Sequence, residues 1–163
     1  MVLNPNKTLS ISILIISFLV FLLAAEVKAQ AKGPEDVIEQ LFDGMRAGDG
    51  SAIRSIVAEG ASLDRVTASG ELRTGGFERW ISWVDQQKEG DADEQIFAVK
   101  VQEFDNLATV WAPFILHYKK ELVGCGVNQF TLAKVEGVWK IVHGIDTAHN
   151  GDCSEFRSLA RFK

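Results

Sequence analysis

Residues 126–147 read GVNQFTLAKVEGVWKIVHGIDT, and this stretch decides the fold. Apolar and polar residues alternate on both sides of Glu136-Gly137, which predicts two antiparallel strands joined by a tight turn. If Val135 faces Val138, the predicted pairs are Leu132 with Ile141, Phe130 with His143, and Asn128 with Ile145. One face of this hairpin is then apolar except for one amide and one imidazole, which is typical of a pocket wall.

The N-terminus is predicted to be a secretory signal, residues 1–29. Lys7 precedes an apolar run from Leu9 to Ala25, and Val27-Lys28-Ala29 places small residues at the −3 and −1 positions of a cleavage site. The alternative is an uncleaved membrane anchor, although the run is slightly short for a span of about 20 residues. We expect a periplasmic or secreted protein that touches a membrane only if this signal stays uncleaved.

The composition makes nucleic acid an improbable partner. The chain has 17 Lys and Arg against 22 Asp and Glu, a net charge of −5, and no basic stripe. Neither a metal nor a cofactor is expected, because only three histidines exist and none has ligand spacing to a cysteine.

Two cysteines in an exported chain predict a disulfide between Cys125 and Cys153. Cys125 begins the first hairpin strand, and Cys153 lies just past the end of the second. The bridge would close a loop of about 29 residues, which the chain-entropy account values at roughly 3–4 kcal/mol.

The remaining pattern predicts one domain over residues 30–150, followed by a C-terminal tail over residues 151–163. A first helix begins at Gly33-Pro34, and its apolar face includes Phe42. Further helices are predicted from Asp49 to Val57 and from Phe77 to Gln87. The strands predicted before the hairpin are Ala61–Thr67, Glu71–Arg73, Gln95–Phe104 and Leu107–Tyr118.

This order of elements resembles the nuclear transport factor 2-like superfamily, which includes ketosteroid isomerase-like and polyketide cyclase-like proteins. The motifs that carry the resemblance are LATVWAPF (107–114), CGVNQFTL (125–132), GVWKI (137–141) and Asp146-Thr147. Within the superfamily, the chain is most similar to the secreted lumazine-binding-like branch, over about residues 34–150. The resemblance implies an α+β cone, in which a curved antiparallel sheet wraps around N-terminal helices and leaves an apolar cavity. It also implies homodimers formed through the outer face of the sheet.

Seven residues are predicted to line that cavity and bind a ligand: Phe42, Phe97, Phe114, Tyr118, Asn128, Phe130 and His143. His143 is also a candidate proton carrier, since an imidazole titrates near neutral pH, and the alternative is a core histidine bonded to the backbone or to Asn128. Asp64 is a second catalytic candidate, because the isomerase branch takes its base from this region, although a solvent-exposed Asp64 is the alternative. Asp146 has the opposite parity from His143 and is expected to lie outside the cavity or at the end of the strand.

Ketosteroid-type chemistry is disfavoured, because the isomerase pattern places an oxyanion-donating tyrosine on the first helix, and the chain's single tyrosine is Tyr118. Three functions remain open. The first is an exported domain that binds a small apolar or aromatic molecule. The second is a cofactor-free lyase or isomerase that uses general acid–base catalysis in the same cavity. The third is a structural or protein-binding domain with a filled core.

Overall fold

The computed structural model describes residues 33–159, which form an α+β fold of helices against one large sheet. The helices are α1 (Pro34–Ala47), α2 (Gly50–Arg54), α3 (Phe77–Val84) and α4 (Phe156–Leu159). The strands are β1 (Val57–Val66), β2 (Leu72–Arg73), β3 (Ala92–Ile96), β4 (Lys100–Phe104), β5 (Leu107–Tyr118), β6 (Glu121–Val135) and β7 (Val138–Ala148). A 3-10 turn, Cys153–Glu155, precedes α4. The predicted signal lies outside the described residues, and none of the helices within 33–159 is long and apolar enough to cross a membrane.

Helix α1 begins at Pro34, as the sequence predicts. The carboxylate of Asp36 accepts a hydrogen bond of 2.9 Å from the Gly33 amide, which satisfies one of the free donors of the first turn. Gly48 ends the helix in the left-handed conformation, with φ at 69°, which glycine adopts without steric cost. The apolar face of α1 is buried against the sheet, and it consists of Val37, Ile38, Leu41, Phe42 and Met45.

The sheet has seven strands in the order β2-β1-β7-β6-β5-β3, and β4 also pairs with β5. Strands β1 and β7 are parallel, and the other pairs are antiparallel. The predicted strand over residues 95–104 is two strands, because Ala98 takes a positive φ of 47° and bends the chain between β3 and β4. Both halves pair with the long β5, whose length lets the sheet curve around the helices.

A β-bulge between β6 and β7 changes the predicted register. Leu132 pairs with Ile141 as predicted, but the next pair is Thr131 with His143. Val142 therefore has no partner across the ladder. Because one extra residue turns every later side chain to the other face of the sheet, the alternation predicted for β7 fails beyond this point.

Two predicted pairs are therefore wrong, those of Phe130 with His143 and of Asn128 with Ile145. The observed pairs are Phe130 with Gly144 and Asn128 with Asp146. His143 points to the face opposite Phe130, and Asp146 points to the same face as Asn128. The expectation that Asp146 lies outside is also wrong, for the same reason.

The hydrophobic core lies between the helices and the concave face of the sheet. Helix α1 packs there with Ile53 of α2 and Ile81 of α3, and all of these side chains are almost fully buried. The sheet contributes a row of inward residues: Ala108, Val110, Ala112, Phe130, Leu132, Trp139 and Ile141. Burial of each large aliphatic side chain stabilises the fold by about 1.5–3 kcal/mol, so this layer holds the helices against the strands.

A disulfide joins Cys125 of β6 to Cys153, with 5.6 Å between the Cα atoms, which confirms the predicted pairing. The bridge holds the 3-10 turn and α4 against the outer face of the sheet. There Phe156 packs on Ile115 and Cys125, and these three residues form a second, small core with Phe97 at its edge. The segment through Leu159, predicted as a tail, is therefore packed on the domain. The outer apolar face, predicted as a dimer surface, is partly covered by the chain itself.

Candidate functional site

A pocket of about 420 Å³ lies between α1, α3 and the concave face of the sheet. This volume falls within the range of small-molecule sites. A larger hollow of about 620 Å³ beside the first half of β1 is lined mainly by small residues, and it gathers fewer aromatic and charged side chains. The first pocket is therefore the candidate site.

Aromatic rings form most of the apolar wall of the pocket. They come from three elements: Phe42 from α1, Phe77, Trp80 and Trp83 from α3, and Phe130 from β6. Phe42 and Phe130 meet edge to face at 6.1 Å between ring centroids, and Phe77 meets Trp80 in the same way at 6.2 Å. Such rings offer flat apolar surfaces with little conformational freedom to lose on binding.

Glu94 of β3 and Asn128 of β6 form a polar pair in the pocket. Asn128 Nδ2 donates a hydrogen bond of 2.6 Å to Glu94 Oε1. Burial raises the pKa of Glu94 to about 7; the Asn128 hydrogen bond opposes this rise, while the charge of Asp146 adds to it. A carboxyl group with this pKa is close to half protonated at neutral pH, so it can donate or accept a proton.

Arg65 of β1 and Asp146 of β7 form a bidentate ion pair beside that acid. Arg65 Nε donates to both carboxylate oxygens at 2.8 Å and 3.0 Å, and Nη2 donates to Oδ2. The Asp146 side chain is 12% exposed and that of Arg65 is 63% exposed, so the pair runs from the pocket to its opening. This hydrogen bonding holds the pKa of Arg65 above its usual value.

The opening carries two more arginines, Arg73 of β2 and Arg79 of α3. Arg73 Nη2 lies 3.3 Å from Glu71 Oε2, and both side chains are more than half exposed. Within residues 33–159, the side chain of Arg79 makes neither a hydrogen bond nor an ion pair. A Cβ atom placed on Gly75 would lie 3.9 Å from Arg79 Nη2, so this guanidinium lies over the Gly75-Gly76 turn.

Asp64 and His143, the two predicted catalytic residues, contact one another. His143 Nε2 lies 3.2 Å from Asp64 Oδ2, and the Gly75 amide donates to Asp64 Oδ1 at 3.0 Å. Asp64 reaches the lining of the pocket, whereas His143 is absent from it. The pair therefore ties β1, β7 and the Gly75 turn together, and a catalytic role for either residue stays a prediction.

The pocket brings together some of the predicted ligand-binding residues and leaves out others. Phe42, Asn128 and Phe130 line it. Tyr118 donates to Gln87 Oε1 at 3.1 Å and stacks at a tilt on Trp83, outside the lining. Phe114 is buried further along β5 near Gly126, and Phe97 packs on Phe156 of the outer core.

The sequence pattern did not predict Glu94, Arg65 or the two arginines of the opening as pocket residues, and it placed Asp146 outside the cavity. The sequence did contain a signal for Glu94. It is two residues from both Ala92 and Ile96, so the three side chains share the inward face of β3. The predicted strand began one residue too late to include Glu94. Nothing in the local pattern marked Asp146, since its orientation follows from the bulge at Val142.

The pocket holds acids and arginines, but the described residues contain no group of three His, Cys, Asp or Glu side chains that could hold a metal ion. The chemistry that the arrangement offers is proton exchange at Glu94, hydrogen bonding at Asn128, and charge at the arginines.

The fold is that of NTF2-like (nuclear transport factor 2-like) proteins, as solved structures of that class show. An NTF2-like protein of unknown function from Shewanella baltica superposes with a TM-score of 0.56 at 19% identity, covering 72% of this chain and 91% of that one. A protein from Streptomyces avermitilis described as a putative dehydratase of the NTF2-like family gives 0.59 at 12% identity, covering 74% and 96%. These likenesses confirm the predicted fold class.

Within that class, a family model described as "Putative lumazine-binding" matches residues 29–145. The match spans most of the chain, so the protein belongs to this family, and the predicted branch is confirmed. None of the curated proteins matches the chain at a significant level.

Proposed function

We propose that this domain binds a small planar, aromatic or heteroaromatic molecule in the pocket between α1, α3 and the sheet. The observation that carries the proposal is the combination of aromatic walls with one polar pair, the buried Asn128 and the half-buried Glu94. Specific small-molecule sites combine such apolar walls with a few convergent polar groups that orient the ligand. The volume of about 420 Å³ supports a ligand over a self-filled core.

The polar pair favours a ligand with an amide-like edge. Asn128 uses its amide nitrogen on Glu94 Oε1, which leaves its carbonyl oxygen as an acceptor. Protonated Glu94 can donate from its other oxygen. A donor beside an acceptor is complementary to a ring carbonyl beside a ring N–H, the pattern found in lactams. The family description, "Putative lumazine-binding", supports the same class, since lumazine is a bicyclic ring system with such edges.

Fluorescence titration with lumazine tests this proposal, because Trp80 and Trp83 line the pocket and report on its contents. We expect saturable quenching in wild-type protein. Asn128→Ala should weaken binding about tenfold, the value of one lost buried hydrogen bond. Gln102→Ala, on the exposed strand β4, is the matched control and should bind like wild type. Absence of saturable quenching by lumazine and by neutral bicyclic aromatics would sink the proposal.

A second candidate is general acid–base catalysis, which the pKa of Glu94 near 7 favours. The Glu94 carboxylate would take a proton from carbon beside a carbonyl group and return it as the acid, as in a lyase or isomerase. This candidate moves the proton carrier from the predicted His143 to Glu94. Exchange of the acidic C–H of 2-tetralone in D₂O, followed by NMR, tests it. Glu94→Gln should abolish protein-dependent exchange and the exposed control Glu89→Gln should retain it; equal exchange by both variants contradicts the role of Glu94.

We also propose that the domain works in an exported, oxidising compartment. The disulfide between Cys125 and Cys153 supports this, because such bonds persist mainly outside the cytosol. The intact mass of the protein isolated from its source cells gives the test: a mature chain that starts near Gln30 is expected, and a full-length reduced chain would contradict export.

A further inference from the structure

We propose that the ligand of this pocket is an anion, with its aromatic body between the rings and an acidic group held at the opening by Arg73 and Arg79. This inference deepens the proposed binding function and rests on it. It assigns a charge to the ligand and a role in specificity to two residues outside the polar pair.

The lining contains three arginines and three acids, but the groups do not neutralise one another evenly. Arg65 is paired with Asp146 through Nε and Nη2, and Asp64 is bonded to His143 and the Gly75 amide. Of the two arginines of the opening, only Arg73 has a carboxylate partner within the described residues, the exposed Glu71.

The side chain of Arg79 has no anionic partner within the described part of the chain. Its guanidinium lies beside the main chain of Gly75, at the edge of the pocket. The neighbouring arginine of the same domain, Arg54, shows the contrasting case. It binds both Glu78 and Asp85, at 2.6 Å and 2.9 Å, on the far side of α3. A planar guanidinium without a carboxylate is suited to bind the carboxylate, phosphate or sulfonate of a ligand.

The chain is acidic, with a net charge of −5, so its field repels anions from most of the surface. The opening of the main pocket is a local exception, because Arg79 has no carboxylate partner within residues 33–159 and Arg73 has one exposed contact, with Glu71. Glu94, the half-buried acid of the polar pair, has its pKa raised to about 7, so it is about half protonated at neutral pH and repels an anion less than a fully ionised carboxylate would. Positive charge at the opening, together with a partly protonated acid inside, favours a molecule with an apolar body and one anionic end.

The test compares 2-naphthoate with its uncharged counterpart 2-naphthamide, which has nearly the same size and shape. Binding is followed by tryptophan fluorescence at low and high salt. We expect 2-naphthoate to bind at least about fivefold more tightly than the amide at low salt, a preference that salt reduces. The double variant Arg73→Gln/Arg79→Gln should lose this preference while its affinity for the amide stays within about twofold of wild type.

Lys88→Gln with Lys119→Gln is the control, since it removes the same charge at exposed positions outside the pocket lining. It should keep the preference. Equal binding of the two probes, or a preference that survives the double arginine variant, overturns the anion inference and leaves the binding function standing. Binding of neither probe contradicts the proposed function itself, so the two failures are distinguishable.

Discussion

Glu94 is the residue on which the pH behaviour of this domain depends. Its carboxyl group has a pKa of about 7 in the folded chain, raised by burial from the ordinary value of 4.5. The folded state therefore holds this proton more tightly than the unfolded state, and stability decreases as the pH rises from about 4.5 to about 7. The full shift corresponds to about 3 kcal/mol, because one pKa unit corresponds to about 1.4 kcal/mol.

Urea unfolding across this pH range tests that behaviour. Glu94→Gln removes the ionisation and keeps an acceptor for Asn128, so wild type should lose up to about 3 kcal/mol relative to the variant between pH 5 and pH 8. Glu89→Gln, at an exposed position, serves as the control and should follow the wild-type curve. Parallel curves for wild type and Glu94→Gln would show that the pKa of Glu94 is not raised.

Two glycines of β6 are expected to differ strongly in how much stability an alanine substitution costs. A Cβ atom on Gly126 would lie 2.1 Å from the Thr147 carbonyl oxygen and 3.0 Å from Phe114 Cε1, whereas one on Gly124 would meet nothing within 4 Å. Gly126→Ala should therefore lower the free energy of unfolding by about 2 kcal/mol or more, because the backbone must shift. Gly124→Ala should change it by less than about 0.5 kcal/mol. Denaturant unfolding of both variants is the measurement, and similar values for the two would contradict the close packing at Gly126.

Among the elements, strand β7 shows how much one inserted residue decides. Up to Ile141, the alternation read from the sequence agrees with the structure, and after the bulge at Val142 every side chain points the other way. The pocket therefore receives Asp146 in place of His143. A register slip of this kind leaves no mark in the alternation itself, because Val142 is apolar and fits a strand as well as its neighbours do.

The disulfide and the packing of Phe156 attach the C-terminal turn and α4 to the sheet. The bridge closes a long loop, with 28 residues of sequence separation, and among the side chains described beyond it, through Ser158, only that of Phe156 is buried. Cys153→Ser should lower the free energy of unfolding by about 3–4 kcal/mol, chiefly through the greater freedom of the unfolded chain. Chemical denaturation with and without reductant measures this. Reductant should destabilise wild type to the same extent and leave the variant unchanged, and an insensitive wild type would contradict a structural bridge.

For the whole molecule, homodimer formation stays a prediction. Part of the outer sheet face is covered by α4, and the exposed apolar residues of the sheet include Phe104 of β4, 79% exposed, and Leu107 of β5, 55% exposed. If dimers form there, Leu107→Glu should yield monomers, because a buried unpaired charge is costly at an apolar interface.

Light scattering coupled to size-exclusion chromatography tests the dimer prediction, because it measures the molar mass in solution. Wild type should have twice the mass of the Leu107→Glu variant. Leu72→Glu is the matched control, since Leu72 is 57% exposed on β2 at the other end of the sheet. It should remain dimeric. A monomeric wild-type protein would show the dimer prediction to be wrong.

The sequence by itself determined the features that depend on neighbouring residues. These are the apolar face of α1, the turn at Glu136-Gly137, the cysteine pair and the order of elements that defines the NTF2-like class. Tertiary structure decided which polar groups meet. Glu94 comes close to Asn128 through the pairing of β3, β5 and β6, and Asp146 enters the pocket through a bulge. The physical reason is that helix faces and turns are set by local periodicity, whereas the orientation of a strand residue and the burial of a carboxylate depend on partners distant in the sequence.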